Sequence, residues 1–301
     1  MYLEHFGLRE FPFSITPDTE FYFSSGASQE ALNTLLIAAR TGEGFIKITG
    51  EVGTGKSMLC RKLMASLSSD FKVAYIPNPH LEPEALFQEL AAELALTFDT
   101  ATSTKHHVLR AINERLLSLH SEGKRVVVCL DEAQAMPIET LEALRLLSNL
   151  ETEKRKLLQV IIFGQPELEE KLNHPSIRQL KQRIAFEYCL TPMGRDEIDY
   201  YLQHRLSVAG HRGRRMFTRP ALWWLKSRTQ CVPRLVNILA HKSLLRAYGK
   251  GHSCVTLGDV RAAAADTASL RQKTTRLRLL MLLLLLGASV YLWLVDQGYV
   301  P

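Results

Sequence analysis

Eight residues, Gly50-Glu51-Val52-Gly53-Thr54-Gly55-Lys56-Ser57, match G-x-x-x-x-G-K-[ST]. They stand between an apolar strand and a helix start, the context in which this pattern cradles phosphates. Glycines let the backbone wrap so that its N–H groups face an anion at a helix N-terminus. Lys56 would reach the β- and γ-phosphates of ATP, and Ser57 would ligate Mg²⁺. Met58 continues the candidate contacts into the helix. A second run, Val126-Val127-Val128-Cys129-Leu130-Asp131-Glu132, delivers two carboxylates to a strand end. Asp131 would join Ser57 in the Mg²⁺ shell, and Glu132 would orient or deprotonate the attacking water. Gln165, at the end of the strand Leu158–Phe163, would sense the γ-phosphate or position that water.

Three arginines are candidates for transition-state charge. Arg183 precedes the last expected strand and suits a role in a neighbouring subunit's site, with Arg178 the runner-up. Arg234 stands in the first turn of a helix opened by Pro233, where the helix dipole opposes it, so a task at the γ-phosphate is expected. The histidines lack metal spacing. Trp223 and Trp224 are expected at the core and rim of the helical part. Five scattered cysteines, none in a C-x-x-C pair, predict buried thiols in a reducing compartment.

Apolar blocks alternating with helical patterns must position these groups. Strands are expected at Phe45–Thr49, Phe71–Ile76, Val126–Leu130, Leu158–Phe163 and Ile184–Leu190. Helices are expected at Ser28–Arg40, Lys56–Ser69, Pro83–Leu96, Lys105–Ser121, Glu139–Leu150 and Ser176–Gln182. That alternation predicts a parallel sheet covered on both faces. After Pro192 only helices follow, at Arg195–Ala209, Pro220–Arg228, Pro233–Tyr248 and Leu257–Ala265. The expected organisation is a segment 1–40 packed on the core, a nucleotide-binding α/β domain 41–190, a helical domain 191–268, and a tail 269–301.

With 301 residues and 46% hydrophobic content, the chain is neither disordered nor a disulfide miniprotein. Its net charge of +6 is uneven. Residues 191–278 carry 17 Lys/Arg against 5 Asp/Glu, whereas residues 1–190 carry 20 against 25. An anionic partner is expected at the C-terminal third. Leu279–Val295 has 17 residues without a charge, about 25 Å as a helix, near the thickness of a hydrocarbon core. Arg271, Lys273, Arg276 and Arg278 precede it, so a single-pass anchor with residues 1–276 cytoplasmic is expected. Met1–Arg40 shows no apolar signal-peptide region.

The order of these motifs resembles the AAA+ ATPases. FGLREFPFSITPDTEFYF at the start, DEAQ at Asp131–Gln134, FGQPEL at Phe163–Leu168 and LKQRIAFEYCLTPM at Leu180–Met193 resemble the ExeA/GspA secretion ATPases. The short tail after one span resembles the MSHA pilus biogenesis branch. The resemblance implies a P-loop AAA+ sheet sandwiched by helices, a small all-α lid and one C-terminal transmembrane helix. It also implies self-association into a ring or partial ring, Phe11 and Phe13 near the adenine, and inner-membrane pilus or secretion proteins as partners. Anionic lipid would meet the basic linker. The secretion relatives continue into a peptidoglycan-binding domain, whereas only Asp296–Pro301 follows the span here, so direct cell-wall binding is not expected. Two other readings compete: a DNA-binding AAA+ ATPase of transposition or regulatory type using the basic helical domain, and a switch that binds ATP with little turnover.

Overall fold

A computed structural model describes residues 2–77, 80–97, 105–147, 149–151 and 156–270. In chain order the elements are α1 (Tyr2–His5), α2 (Gly26–Thr41), β1 (Phe45–Thr49), α3 (Lys56–Ser66), β2 (Phe71–Ile76), α4 (Pro83–Glu93), α5 (Lys105–Ser121) and β3 (Arg125–Leu130). Then follow α6 (Ile138–Leu147), β4 (Leu158–Gly164), α7 (Glu167–Leu172), α8 (Arg178–Lys181), β5 (Ile184–Cys189), α9 (Glu197–Val208), α10 (Arg219–Thr229), α11 (Pro233–Gly249) and α12 (Leu257–Ala265). The expected C-terminal span, 279–295, lies outside the described residues. Among the described residues no helix is long and apolar enough to cross a membrane.

The five strands form one parallel sheet in the order β2-β3-β4-β1-β5. Their apolar runs explain the layering. Val126, Val128, Leu130, Val160 and Ile162 face one core, packed against α4, α5 and α6. Val127, Cys129, Ile161 and Phe163 point the other way with Ile46 and Ile48, onto α2 and α3. A strand buried on both faces has no polar side to lose, which is why β3 reads as an apolar block after Arg125 and β4 as one interrupted only by the buried Gln159. At the edge, β5 alternates half-buried Ile184, Phe186 and Tyr188 with exposed Ala185, Glu187 and Cys189. Lys47 interrupts β1 yet is buried, its ammonium paired with Glu169 of α7 and, at 3.1 Å, with Glu187 of β5. A buried ammonium needs such partners.

The chain divides into two compact units. The sheet unit comprises Thr16–Tyr201 with Val232–Arg234, and the helical unit Met1–Ile15, Leu202–Cys231 and the residues from Leu235 onward. The expected segment 1–40 is therefore not one piece on the nucleotide-binding core. Its first fifteen residues belong to the helical unit, because their aromatic rings and backbone groups find partners there. The Arg9 amide donates to the Ala209 carbonyl (2.8 Å), the Tyr2 hydroxyl bonds His241 Nδ1 (2.9 Å), and the Phe13 ring meets Phe217 edge-on. Phe13 is buried there, and Phe11 packs edge-on against Tyr2 and His241. Phe13 is thus committed to this core, whereas Phe11 keeps part of its ring exposed. From Thr16 the segment does belong with the sheet unit: Arg61 of α3 donates to the Pro17 carbonyl (3.0 Å), and the Lys62 ammonium lies over the Tyr22 ring.

The sheet unit also runs past the expected limit at Leu190, to Tyr201. Glu197 accepts from the amides of Gly26 (2.7 Å) and Gly194 (2.6 Å), and the Tyr201 ring meets Phe23. In the helical unit Leu222 and Leu225 take the buried face of α10, and Trp223 is exposed instead of lying in the core. Trp224 is half-buried, with the Arg228 guanidinium over its ring. Of the cysteines, Cys60, Cys129 and Cys231 are buried as expected, but Cys189 on the edge strand is exposed and Cys254 is half-buried.

One carboxylate organises the end of the helical unit. Asp259, fully buried, accepts from the Thr256 amide (3.0 Å) and hydroxyl (2.7 Å), closing a capping box on α12, and also faces Lys250 (3.1 Å) and His252 (3.0 Å). Burial pushes its carboxyl up, but the Thr256, His252 and Lys250 hydrogen bonds outweigh it and hold Asp259 well below the usual carboxylate range. A depressed acid stabilises the fold above its unfolded-state value of about 3.9 and loses that contribution as pH falls toward the folded value. Asp259→Asn should therefore cost about 2–3 kcal/mol near neutrality. Urea unfolding should show the gap to the native chain closing as the pH drops below about 4.

Candidate nucleotide site

Because the sheet is parallel, the C-terminal ends of β1, β3 and β4 open on the same edge, where α/β sheets bind ligands. Register sets the level of each side chain. Thr49 of β1 pairs with Gly164 of β4, so Gly50 and Gln165 emerge together. Leu130 of β3 pairs with Ile162, which brings Asp131 and Glu132 to the same rim.

The loop after β1 is closed by its own polar groups. The Thr54 hydroxyl donates to the Glu51 carbonyl (2.9 Å), while the Glu51 and Val52 side chains are exposed. Gly53 has φ +84°, and a Cβ there would lie 2.5 Å from Arg234 Cβ; Gly55, the N-cap of α3, has φ +106°. Only glycine meets such backbone angles without strain. Lys56 is buried, its Nζ donating to the Gly50 (2.7 Å) and Glu51 (3.1 Å) carbonyls. Burial lowers the Lys56 pKa, and the charges of Glu132 and Asp131 oppose that. Ser57 hydrogen-bonds the buried Asp131, whose carboxyl burial raises above the ordinary value in spite of that bond. Met58 is half-buried one residue further along α3.

Glu132 is held from two sides. Its backbone sits in the left-handed region (φ 55°), uncommon for a residue with a side chain. Gln165 Nε2 donates to Glu132 Oε2 (3.0 Å), Gln134 Nε2 donates to the same oxygen, and Gln134 Oε1 accepts from the Gln165 amide (3.0 Å). Burial alone would raise the Glu132 pKa. The two amides, with the Lys56 and Arg234 charges, instead leave it below the usual glutamate value. A carboxylate so held stays ionised and aimed, as a group that accepts a proton from water must.

The expected site residues thus come together with two differences. Gln165 contacts the Glu132 carboxylate directly. Gln134, absent from the sequence-based set, completes the clamp; its signal was a second polar side chain two residues past Glu132, in the turn Ala133–Ala135. Arg234 lies beside this set: its amide donates to the Gly53 carbonyl (3.2 Å), and its charge acts on Glu132. Arg183 does not. It is exposed before β5 and donates to Asn149 Oδ1 (2.8 Å), and Arg178 is exposed on α8.

The donor set fits a magnesium nucleotide. A buried ammonium satisfied by loop carbonyls can turn to phosphate oxygens, and half-buried Ser57 with buried Asp131 offers two oxygen ligands of the kind Mg²⁺ takes. Residues 39–172 match the family model of the AAA domain. The chain is 40% identical over 275 residues to the general secretion pathway protein A of Aeromonas hydrophila, covering 91% of this chain and 50% of that protein. The chain therefore spans about half the length of the curated relative it matches. Similar folds occur in Cdc6p of Pyrobaculum aerophilum (TM-score 0.69, 19% identity, 85% of this chain and 70% of that one). The Aeropyrum pernix ORC1 protein, solved in complex with DNA, gives TM-score 0.59 at 18% identity, over 85% and 69%. The Thermotoga maritima RuvB branch migration motor gives 0.55 at 14%, over 85% and 73%. At these identities the likeness is one of fold.

Proposed function

We propose that this AAA domain hydrolyses ATP at the rim of β1, β3 and β4, tethered to the inner membrane by residues 279–295, in support of an MSHA-type pilus or related secretion machine. The observation that carries the hydrolytic reading is the clamp on Glu132. Gln134 and Gln165 converge on Oε2, which leaves Oε1 to accept a proton from water. Lys56, the loop amides and the N-terminus of α3 hold the β- and γ-phosphates, and Arg234 adds positive charge beside Glu132. Mg²⁺ would be held by Ser57 and Asp131, and when bound it neutralises charge on the phosphate oxygens. The 40% identity to a general secretion pathway protein supports the secretion setting. The pilus setting comes from the family resemblance of the sequence motifs.

Membrane attachment is tested by truncation after Arg271. The shortened chain should still hydrolyse ATP but leave salt-washed membranes for the supernatant. A truncated chain that stays with membranes through the salt wash sinks the anchor.

Self-association is the second part of the proposal. Arg183 lies on an exposed turn at the sheet edge, where it can meet the nucleotide of an adjacent copy. Arg183→Ala should keep ATP binding while losing the rise of specific activity with protein concentration. Unchanged turnover across a dilution series would return the trans role to Arg178 or to neither.

A further inference from the structure

From Tyr200 through Gly258 the chain holds eleven Lys and Arg residues and no Asp or Glu. Protein surfaces ordinarily intersperse both signs, because a field of one sign repels itself and draws counter-charge. The helical unit gathers part of this charge around an exposed indole. On α10, Arg219, Trp223 and Lys226 recur at i, i+4 and i+7, which is one side of a helix. Ala221, Leu222 and Leu225 take the buried side. Trp223 is 66% exposed. Ahead of α10, Arg212 and Arg214 are exposed on a loop that His211 pins, its ring bonded to the Phe6 (3.1 Å) and Arg214 (2.9 Å) carbonyls.

Duplex phosphates ask for charge alone. A bilayer surface rewards charge together with an indole, which settles where headgroups meet acyl chains. Chain length adds a second reason. Eight residues, Arg271–Arg278, separate the last described residue, Leu270, from the apolar run 279–295. Fully extended they reach at most about 28 Å, so a membrane-inserted run keeps the helical unit close to the headgroups. We propose that the α10 face centred on Trp223, with Arg212, Arg214, Arg219 and Lys226, docks on an anionic phospholipid surface and seats the indole among the headgroups. The nearness of the bilayer rests on the anchor reading; the chemistry of the face does not.

The test uses the full chain with Trp224→Phe and Trp293→Phe, so that Trp223 is its one tryptophan. Vesicles of phosphatidylcholine and phosphatidylglycerol carry bromine on the acyl chains just below the headgroups, which quenches an indole on contact. Most of the Trp223 emission should be lost in these vesicles. It should return in pure phosphatidylcholine, in 1 M salt where the screening length falls to about 3 Å, and in the double variant Arg212→Glu, Arg214→Glu. Undiminished emission with phosphatidylglycerol present overturns the proposal, as does a response to duplex DNA without one to vesicles. A companion chain, Trp223→Phe with Trp224→Phe, keeps only Trp293 and reads the anchor with deeply brominated lipid of either composition. Quenching of Trp293 with Trp223 silent rejects the face alone. The reverse pattern rejects the anchor and leaves the face standing.

Discussion

Glu132→Gln should lower phosphate release by about 10²–10⁴-fold while leaving ATP binding intact. The substitution keeps size and shape but removes the one carboxylate in the clamp that can take a proton. Gln134 and Gln165 both donate to Glu132 Oε2, and a glutamine oxygen can still accept from them. The clamp therefore survives while the base is lost. Phosphate release under saturating ATP, read beside a fluorescent-nucleotide titration of the same protein, separates the two effects. Equal release by both forms would remove Glu132 from the chemistry and favour the switch that binds ATP with little turnover.

Lys56→Ala should instead abolish binding at ordinary ATP concentrations. Lys56 Nζ makes two hydrogen bonds to loop carbonyls in a buried setting, and the same donors are the natural partners of phosphate oxygens. Losing two charge-assisted hydrogen bonds worth about 1.5–3 kcal/mol each weakens binding by about 10²–10⁴-fold. The loss should appear in calorimetric titration with Mg-ATP. Thermal melting without nucleotide checks that the sheet unit still folds. Native affinity in the variant would dismiss the phosphate role of Lys56. The two substitutions thus divide the site, one removing the grip and the other the reaction.

Much of this site is legible in the chain because its groups lie next to the ends of regular elements. Gly50–Ser57 follows a strand whose apolar run is unmistakable, and Asp131 follows another. In such places backbone periodicity alone carries the side chain to its rim. The strand bounds hold to within a residue for the same reason. Helix ends are less legible: α3 stops at Ser66, short of the expected Ser69, and the expected helix Ser176–Gln182 divides into a 3₁₀ turn at Pro175–Ile177 and the short α8. Local capping decides such ends, and their residues resemble loop residues.

What needs two distant segments to meet is not written in either. The Gln134–Glu132–Gln165 clamp joins a turn after β3 to the end of β4, and only the neighbouring register of those strands makes it. The aromatic opening, Tyr2 to Phe13, announces burial but not which core receives it; matching partners at Ala209, Phe217 and His241 decide that. Trp223 and Trp224 are adjacent and identical, and the helix phase set by Leu222 and Leu225 turns one outward and the other beneath Arg228. Sequence by itself determined the chemistry on offer and the strands that carry it, because motif spacing and apolar periodicity are local. The tertiary structure alone decided which polar groups meet and which rings are spent on packing, because those contacts depend on strand order and helix phase across more than a hundred residues of chain.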